Sequence, residues 1–115
     1  MRRLVLLALP FVLAACGGRS STIGDAGHGE RLIEYYGCGA CHTIPGVTGA
    51  DARIGPSLAH FDKARFIAGA LPNDVDDLVR WIHDPQSVRP GTLMPKLGVT
   101  EQEARDIAAY LYSHT

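Results

Sequence analysis

Cys38-Gly39-Ala40-Cys41-His42 constrains this chain more than any other stretch. Two thiols three residues apart, followed at once by an imidazole, spell C-x-x-C-H, the pattern for covalent attachment of a haem. The histidine is then held under the iron as its proximal ligand. A fold that meets this demand has to enclose a large, flat, apolar body with a chain of only 115 residues. Two other uses of the same residues are a thioredoxin-type disulfide and a zinc site. The first lacks a surrounding βαβ pattern, and the second lacks a further Cys or His pair at finger-like spacing.

The chain opens with an address. Met1-Arg2-Arg3 precede an apolar run from Leu4 to Leu13, broken only by Pro10, and Ala14-Ala15 lead into Cys16. A basic start, a short apolar stretch and small residues at the end describe a secretory signal peptide over residues 1–15. The apolar stretch falls well short of the roughly 20 residues that a membrane-spanning helix needs. Leu13-Ala14-Ala15-Cys16 also resembles the lipobox of bacterial lipoproteins, which implies that Cys16 becomes a lipid-modified N-terminus. The alternative is an ordinary cleaved signal with an incidental cysteine. A lone thiol in an oxidising compartment is a liability, and several acyl chains anchor stably where one is marginal. Gly17 to Gly24 is rich in Gly, Ser and Thr and reads as a flexible tether. Residues 16–24 are therefore expected to be the lipidated cysteine and tether, and 25–115 a single domain. That places the domain in a bacterial envelope, anchored to a membrane on its periplasmic or extracytoplasmic side.

The whole chain carries 11 basic and 12 acidic side chains; without Arg2 and Arg3, 9 basic residues face 12 acidic ones. A mildly acidic mature chain argues against nucleic acid as a partner. Three cysteines are then accounted for, Cys16 by the anchor and Cys38 and Cys41 by the haem, with none left for a disulfide framework. Residues 25–115 lie near the lower size limit for a self-sufficient core, so a buried haem adds apolar mass that the domain needs.

Three helices are expected, and no run alternates as a strand does. Asp25 is a fair N-cap for a helix with Leu32, Ile33 and Tyr36 on one side, ending at Gly37. Asn73 is expected to cap a second, in which Val75, Leu78, Val79 and Ile82 follow the i, i+3, i+4, i+7 pattern until Pro85. The third opens on Thr100-Glu101-Gln102-Glu103, a capping box, and buries Ala104, Ile107, Ala108 and Leu111. Pro45, Gly46, Gly49, Gly55 and Pro56 mark a looped wrap between His42 and Leu58.

The iron needs a sixth ligand. Met94 is the sole methionine once the signal is gone, and it stands in Pro90-Gly91-Thr92-Leu93-Met94-Pro95. Proline on both sides stiffens this loop and keeps it out of helix, so it can present a thioether to the iron opposite His42. A His/Met pair raises the reduction potential relative to two histidines. His60 is the best bis-histidine alternative. His28 and His114 sit near the ends of the domain and are expected to face solvent, and His83 falls at a helix end, where it can cap carbonyls.

These residues together resemble the class I c-type cytochromes over nearly all of residues 25–115. Gly29-Glu30-Arg31-Leu32-Ile33 is similar to the first helix of that family, although Ile33 stands where an aromatic is usual. Ala109-Tyr110-Leu111 is similar to the last helix, which in the family crosses the first near Gly29. Gly55-Pro56-Ser57-Leu58 matches the family's G-P-x-L loop, which implies that the Pro56 carbonyl accepts a hydrogen bond from His42. Gly69-Ala70-Leu71-Pro72-Asn73, the run from Trp81 to Val88 and Gly91-Thr92-Leu93-Met94-Pro95 resemble the cytochrome domain fused to subunit II of some bacterial haem–copper oxidases. By that resemblance Trp81 donates to a haem propionate, its other reading being core packing. Arg53 and Arg89 are candidates to neutralise propionates, solvated arginines being the commoner case. The four tyrosines are expected to pack rather than to relay electrons.

The resemblance implies an all-α, cytochrome c-like fold of three main helices and long loops around one haem c, held through Cys38 and Cys41. The expected function is electron transport in a respiratory chain: a membrane-anchored carrier, not an enzyme, with His/Met-ligated iron. Its expected partners are a terminal oxidase or a quinol-oxidising complex. The rivals are a haem enzyme or gas-binding sensor with an open distal site, and a fixed subunit of a respiratory complex.

Overall fold

The computed structural model describes residues 23–115. The expected signal peptide, Cys16 and most of the expected tether lie outside the described residues.

The expected helices form where their caps are strongest. Helix α1 (Ala26–Tyr35) starts on Asp25, whose carboxylate accepts from the His28 amide at 2.9 Å, and buries Gly29, Leu32 and Ile33. Gly37 follows it in the left-handed region at φ 69°, which suits a residue without a side chain. Helix α2 (Val75–His83) carries Asp76 and Asp77 in its first turn and Arg80 and His83 in its last, in accord with its dipole. Its N-cap is Asp74, one residue later than the expected Asn73. Asn73 is used elsewhere: its amide nitrogen donates to the carbonyls of Phe61 and Ala64, and its oxygen accepts from the Tyr112 hydroxyl at 2.5 Å. Pro85 ends α2 as expected and also opens a fourth, one-turn helix, α3 (Pro85–Val88), capped by Asp84. Helix α4 (Glu101–His114) has both arms of the Thr100–Glu103 capping box.

The core lies where α1, α2 and α4 converge, with Ile33, Leu78, Ile107, Ala108 and Leu111 almost wholly buried. Each large aliphatic side chain buried there contributes about 1.5–3 kcal/mol. Helices α1 and α4 cross at Gly29, where an added Cβ would overlap the backbone of Asp106. Only glycine allows this approach, and Ile33, one turn further along α1, is wholly buried. One small departure from an all-helical chain is an antiparallel pair, β1 (Phe66–Ile67) with β2 (Leu71–Pro72). Ala68 at φ 52° and Gly69 at φ 67° reverse the chain between them.

Polar side chains tie the layers. Asp106 is buried and accepts from the Asp25 amide at 2.9 Å, from His28 at 2.7 Å and from Gln102 at 3.2 Å. Burial pushes its carboxyl up, but these hydrogen bonds outweigh burial and hold it below the ordinary carboxylate value. His28 is thus a hydrogen-bond partner across the helix crossing rather than a free surface histidine. The tyrosines act as struts: Tyr36 donates to Glu103, Tyr110 to the Pro45 carbonyl and Tyr112 to Asn73, while Tyr35 is exposed. Burial and the nearby Asp74 charge push the Tyr112 hydroxyl up to about 12.

Candidate functional site

After Gly37 the chain tightens into a 3-10 turn, Cys38–Ala40. The Cys41 amide donates to Cys38 O at 3.2 Å and the His42 amide to the same oxygen at 3.1 Å. Side chains three residues apart eclipse in a 3-10 turn, so the two thiols are presented together, one turn apart. Both are free and half-buried. Burial pushes the Cys38 thiol up. Gly39, between them, packs so closely on Ala50 that a Cβ would stand 2.8 Å from the alanine's own. Small residues around this turn, among them Gly37, Gly39, Ala40 and Gly49, border an open depression of about 410 Å³.

His42 is held from two sides. Its Nδ1 lies 2.7 Å from the Pro56 carbonyl oxygen. A carbonyl can only accept, so the proton sits on Nδ1 and the lone pair of Nε2 is left for a metal. Gly55 lies against the ring: a Cβ there would come within 2.5 Å of Cε1 and 2.8 Å of Nδ1. The loop that supplies both contacts is fastened by backbone. The Gly55 amide donates to Cys41 O at 2.7 Å, the Leu58 amide to Thr43 O at 2.9 Å, and Thr43 bridges to Asp51.

Met94 is half-buried in a loop held by side chains. The Gln86 amide nitrogen donates to Thr92 O at 2.9 Å and to Met94 O at 3.2 Å, while its oxygen accepts from the Gly91 amide at 3.0 Å. Lys96 pairs with Asp84 at 2.7 Å and His83 Nδ1 donates to Val99 O at 2.7 Å. The Lys96 hydrogen bond holds the Asp84 carboxyl below its ordinary value.

The chemistry of these residues fits a covalent haem. Two free thiols stand one turn apart, beside an imidazole in the metal-binding tautomer. Large apolar side chains are turned outward on the neighbouring loops: Ile54 next to Gly55-Pro56, Leu93 and Leu97 around Met94, and Phe66 on the hairpin. Single exposed apolar residues are ordinary; Ile54, Leu93 and Leu97, attached to the very loops that carry His42's partner and Met94, are what an apolar cofactor would cover. Among the described residues no group of three or more His, Cys, Asp or Glu is arranged to hold a metal ion.

The model of the cytochrome c family matches residues 26–115. The chain belongs to the cytochrome c family. A cytochrome c binds its haem c covalently through cysteines, here Cys38 and Cys41, and its haem serves electron transfer. Among curated relatives, the cytochrome c oxidase subunit 2 of Alkalihalophilus pseudofirmus is 37% identical over 89 residues, 76% of this chain but 25% of that protein. The cytochrome c oxidase subunit 2 of Bacillus subtilis is 34% identical over 85 residues, 69% of this chain and 24% of its own length. The chain thus spans about a quarter of the oxidase subunits it matches. Cytochrome c-552 of Bradyrhizobium diazoefficiens is 31% identical over 111 residues, 94% of this chain and 93% of the relative.

The remaining candidates sort by their contacts. Trp81 is half-buried on α2 and packs against the core of this cytochrome c. Arg89 donates to the Ala68 carbonyl at 2.7 Å and so braces the hairpin, while Arg53 is exposed. His60 is exposed, with its backbone at φ 55° and its amide donating to Thr115 O at 2.6 Å. His114 stacks on Tyr110, ring centroids 4.9 Å apart. Sequence reasoning missed Gln86 and Asp106. The only linear signal for Gln86 is its place at the start of a helical turn just ahead of Pro90-Gly91. Asp106 falls on the buried side of α4, where a carboxylate is anomalous.

Proposed function

We propose that this cytochrome c is a membrane-tethered electron carrier of a bacterial respiratory chain, with His42 and Met94 as the axial ligands of one haem. Bound haem supplies the one-electron Fe(III)/Fe(II) couple; the chain positions it. The observation that carries the reading is the His42–Pro56 hydrogen bond, which fixes the tautomer and makes the imidazole a better donor to iron. Met94 suits the sixth position because its loop is short, proline-flanked and hydrogen-bonded at three backbone groups. Retaining both ligands in both oxidation states keeps the two forms alike, as a carrier requires. Trp81 is proposed to donate its indole N–H to a propionate.

The similarity of residues in this chain to oxidase subunits supports a terminal oxidase as acceptor or a quinol-oxidising complex as donor. End-to-end similarity to a cytochrome c-552 supports a separate carrier over a fixed subunit. Removal of residues 1–15, lipid on Cys16 and a tether to residue 24 would keep the haem domain of 25–115 on the extracytoplasmic side. Docking beside the cysteines would meet Gly37, Gly39, Ala40 and Gly49 among its contacts, small residues that let a partner approach the haem turn closely. Such encounters have small, short-lived interfaces. The test is stopped-flow mixing of the reduced, detergent-solubilised protein with a bacterial haem–copper oxidase. Oxidation far faster than with oxygen alone supports a carrier; equal rates overturn it. Replacement of Cys16 by Ser moves the protein from membranes to the soluble fraction if lipid is the anchor, and leaves it there if it is not.

A further inference from the structure

The run His83-Asp84-Pro85-Gln86 is aimed as a unit at the segment that carries Met94. His83 holds Val99 O, Asp84 holds Lys96, and Gln86 holds the middle through Gly91, Thr92 and Met94. The two outer contacts fix the end of the segment. Gln86 alone reaches the backbone of the methionine itself.

A carboxamide offers two donors and an acceptor in one plane. Here two carbonyls, which can only accept, face the nitrogen, and an N–H, which can only donate, faces the oxygen, so the orientation of the amide is determined by its partners. Three bonds from one planar group fix the attitude of the loop and not merely its distance. The platform is itself rigid: Pro85 starts α3, and the Asp84 carboxylate accepts from the Ser87 amide at 3.2 Å. Without Gln86, Met94 keeps a 3.4 Å contact from its amide to Thr92 Oγ1, at the long limit for a hydrogen bond.

We propose that Gln86 is the positioning residue of the Met94 ligand, setting the fraction of time the thioether occupies the iron. The proposal rests on the reading of Met94 as the sixth ligand. Gln86 touches neither sulfur nor haem; it acts through the carbonyls of Thr92 and Met94.

The test compares the haem-loaded wild type with Gln86→Met, which keeps the volume and loses every hydrogen bond, and Gln86→Glu, which keeps the acceptor for Gly91 and loses both donors. The readouts are the far-red sulfur-to-iron band of the oxidised protein and the rate of carbon monoxide binding to the reduced one. Loss of two or more bonds of ordinary strength raises the carbon monoxide rate about tenfold or more in both variants and weakens the band, while haem content and helicity stay as in the wild type. An unchanged band and rate in both variants overturns the role of Gln86. A wild type with no band and immediate carbon monoxide binding overturns the Met94 reading instead, and this proposal with it. Should the variants fail to fold, amide exchange in the wild-type holoprotein decides: a protected Gly91 N–H is expected, and free exchange there contradicts the proposal.

Discussion

The loop that partners His42 and the loop that carries Met94 differ in what holds them. Residues 43–58 are closed mainly by backbone, Gly55 to Cys41, Leu58 to Thr43, and the Thr43–Asp51 bridge, with side-chain bonds from Thr43 to Ala52 O and from Tyr110 to Pro45 O beside them. Even the contact to the imidazole comes from a backbone carbonyl, that of Pro56. Residues 91–99 are held mainly by side chains, those of Gln86, Asp84, Lys96 and His83, with one backbone bond from Thr92 to Arg89 O. Backbone contacts survive most substitutions, whereas a side-chain contact is removed by one. The comparison teaches that the loop beside His42 is fixed with the fold, and that the loop carrying Met94 is the one expected to loosen without unfolding the protein.

The largest expected effect falls on the frame beneath both loops. Replacing Gly29 by Ala drives a methyl into the Asp106 backbone of α4. Separation of the helices should cost on the order of 3 kcal/mol, read as a lower melting temperature of the holoprotein. Gly55→Ala comes next and attacks the proximal half directly. Its methyl meets the His42 ring, so the ring must tilt away from Pro56. A higher reduction potential, because the imidazole loses the hydrogen bond that makes it a better donor to iron, and an altered Soret band are expected; an unchanged spectrum would show that this loop is more pliant than its backbone bonds imply. Met94→Ala is the distal counterpart. It should leave melting nearly as it was, lower the potential and open the iron to carbon monoxide.

Asp106 gives the comparison a pH axis. Its carboxyl is held below the ordinary value in the folded protein. A depressed folded value means that its stabilisation is present above the ordinary carboxylate pKa, about 4, and is lost as pH falls through the folded one. Asp106→Asn should therefore cost about 1–3 kcal/mol near neutrality and reduce the loss of stability on acidification, measured as melts at pH 7 and pH 3. Lys96→Met is the smallest change. The Lys96–Asp84 pair is half-exposed, and such pairs contribute little and are screened by salt. A slight loss of stability that disappears in high salt is expected.

The parts of this molecule that could be read from the chain are those set by local chemistry. Asp25, Thr100 and Glu103 announce helix starts because an N-cap acts within three residues. Gly29 and Gly55 were visible as glycines in a resemblance, but what they avoid, the Asp106 backbone and the His42 ring, is remote in sequence. Asn73 and Asp74 are comparable caps; the choice of Asp74 follows from Phe61, Ala64 and Tyr112, which claim the Asn73 amide from 9 to 39 residues away. The short β1–β2 pair has no alternation to betray it, since two residues per strand carry no period. Gln86 is hidden for the same reason as Asn73: an amide side chain declares its role only through partners that the fold brings to it.

The most direct test of the account is the visible spectrum of the haem-loaded protein, oxidised and reduced, followed by carbon monoxide on the reduced form. The account predicts a six-coordinate ferrous spectrum that carbon monoxide moves at most slowly, with a weak far-red sulfur-to-iron band in the oxidised state. Prompt carbon monoxide binding and no far-red band would contradict it, and would turn attention to an open iron and to gas binding or catalysis.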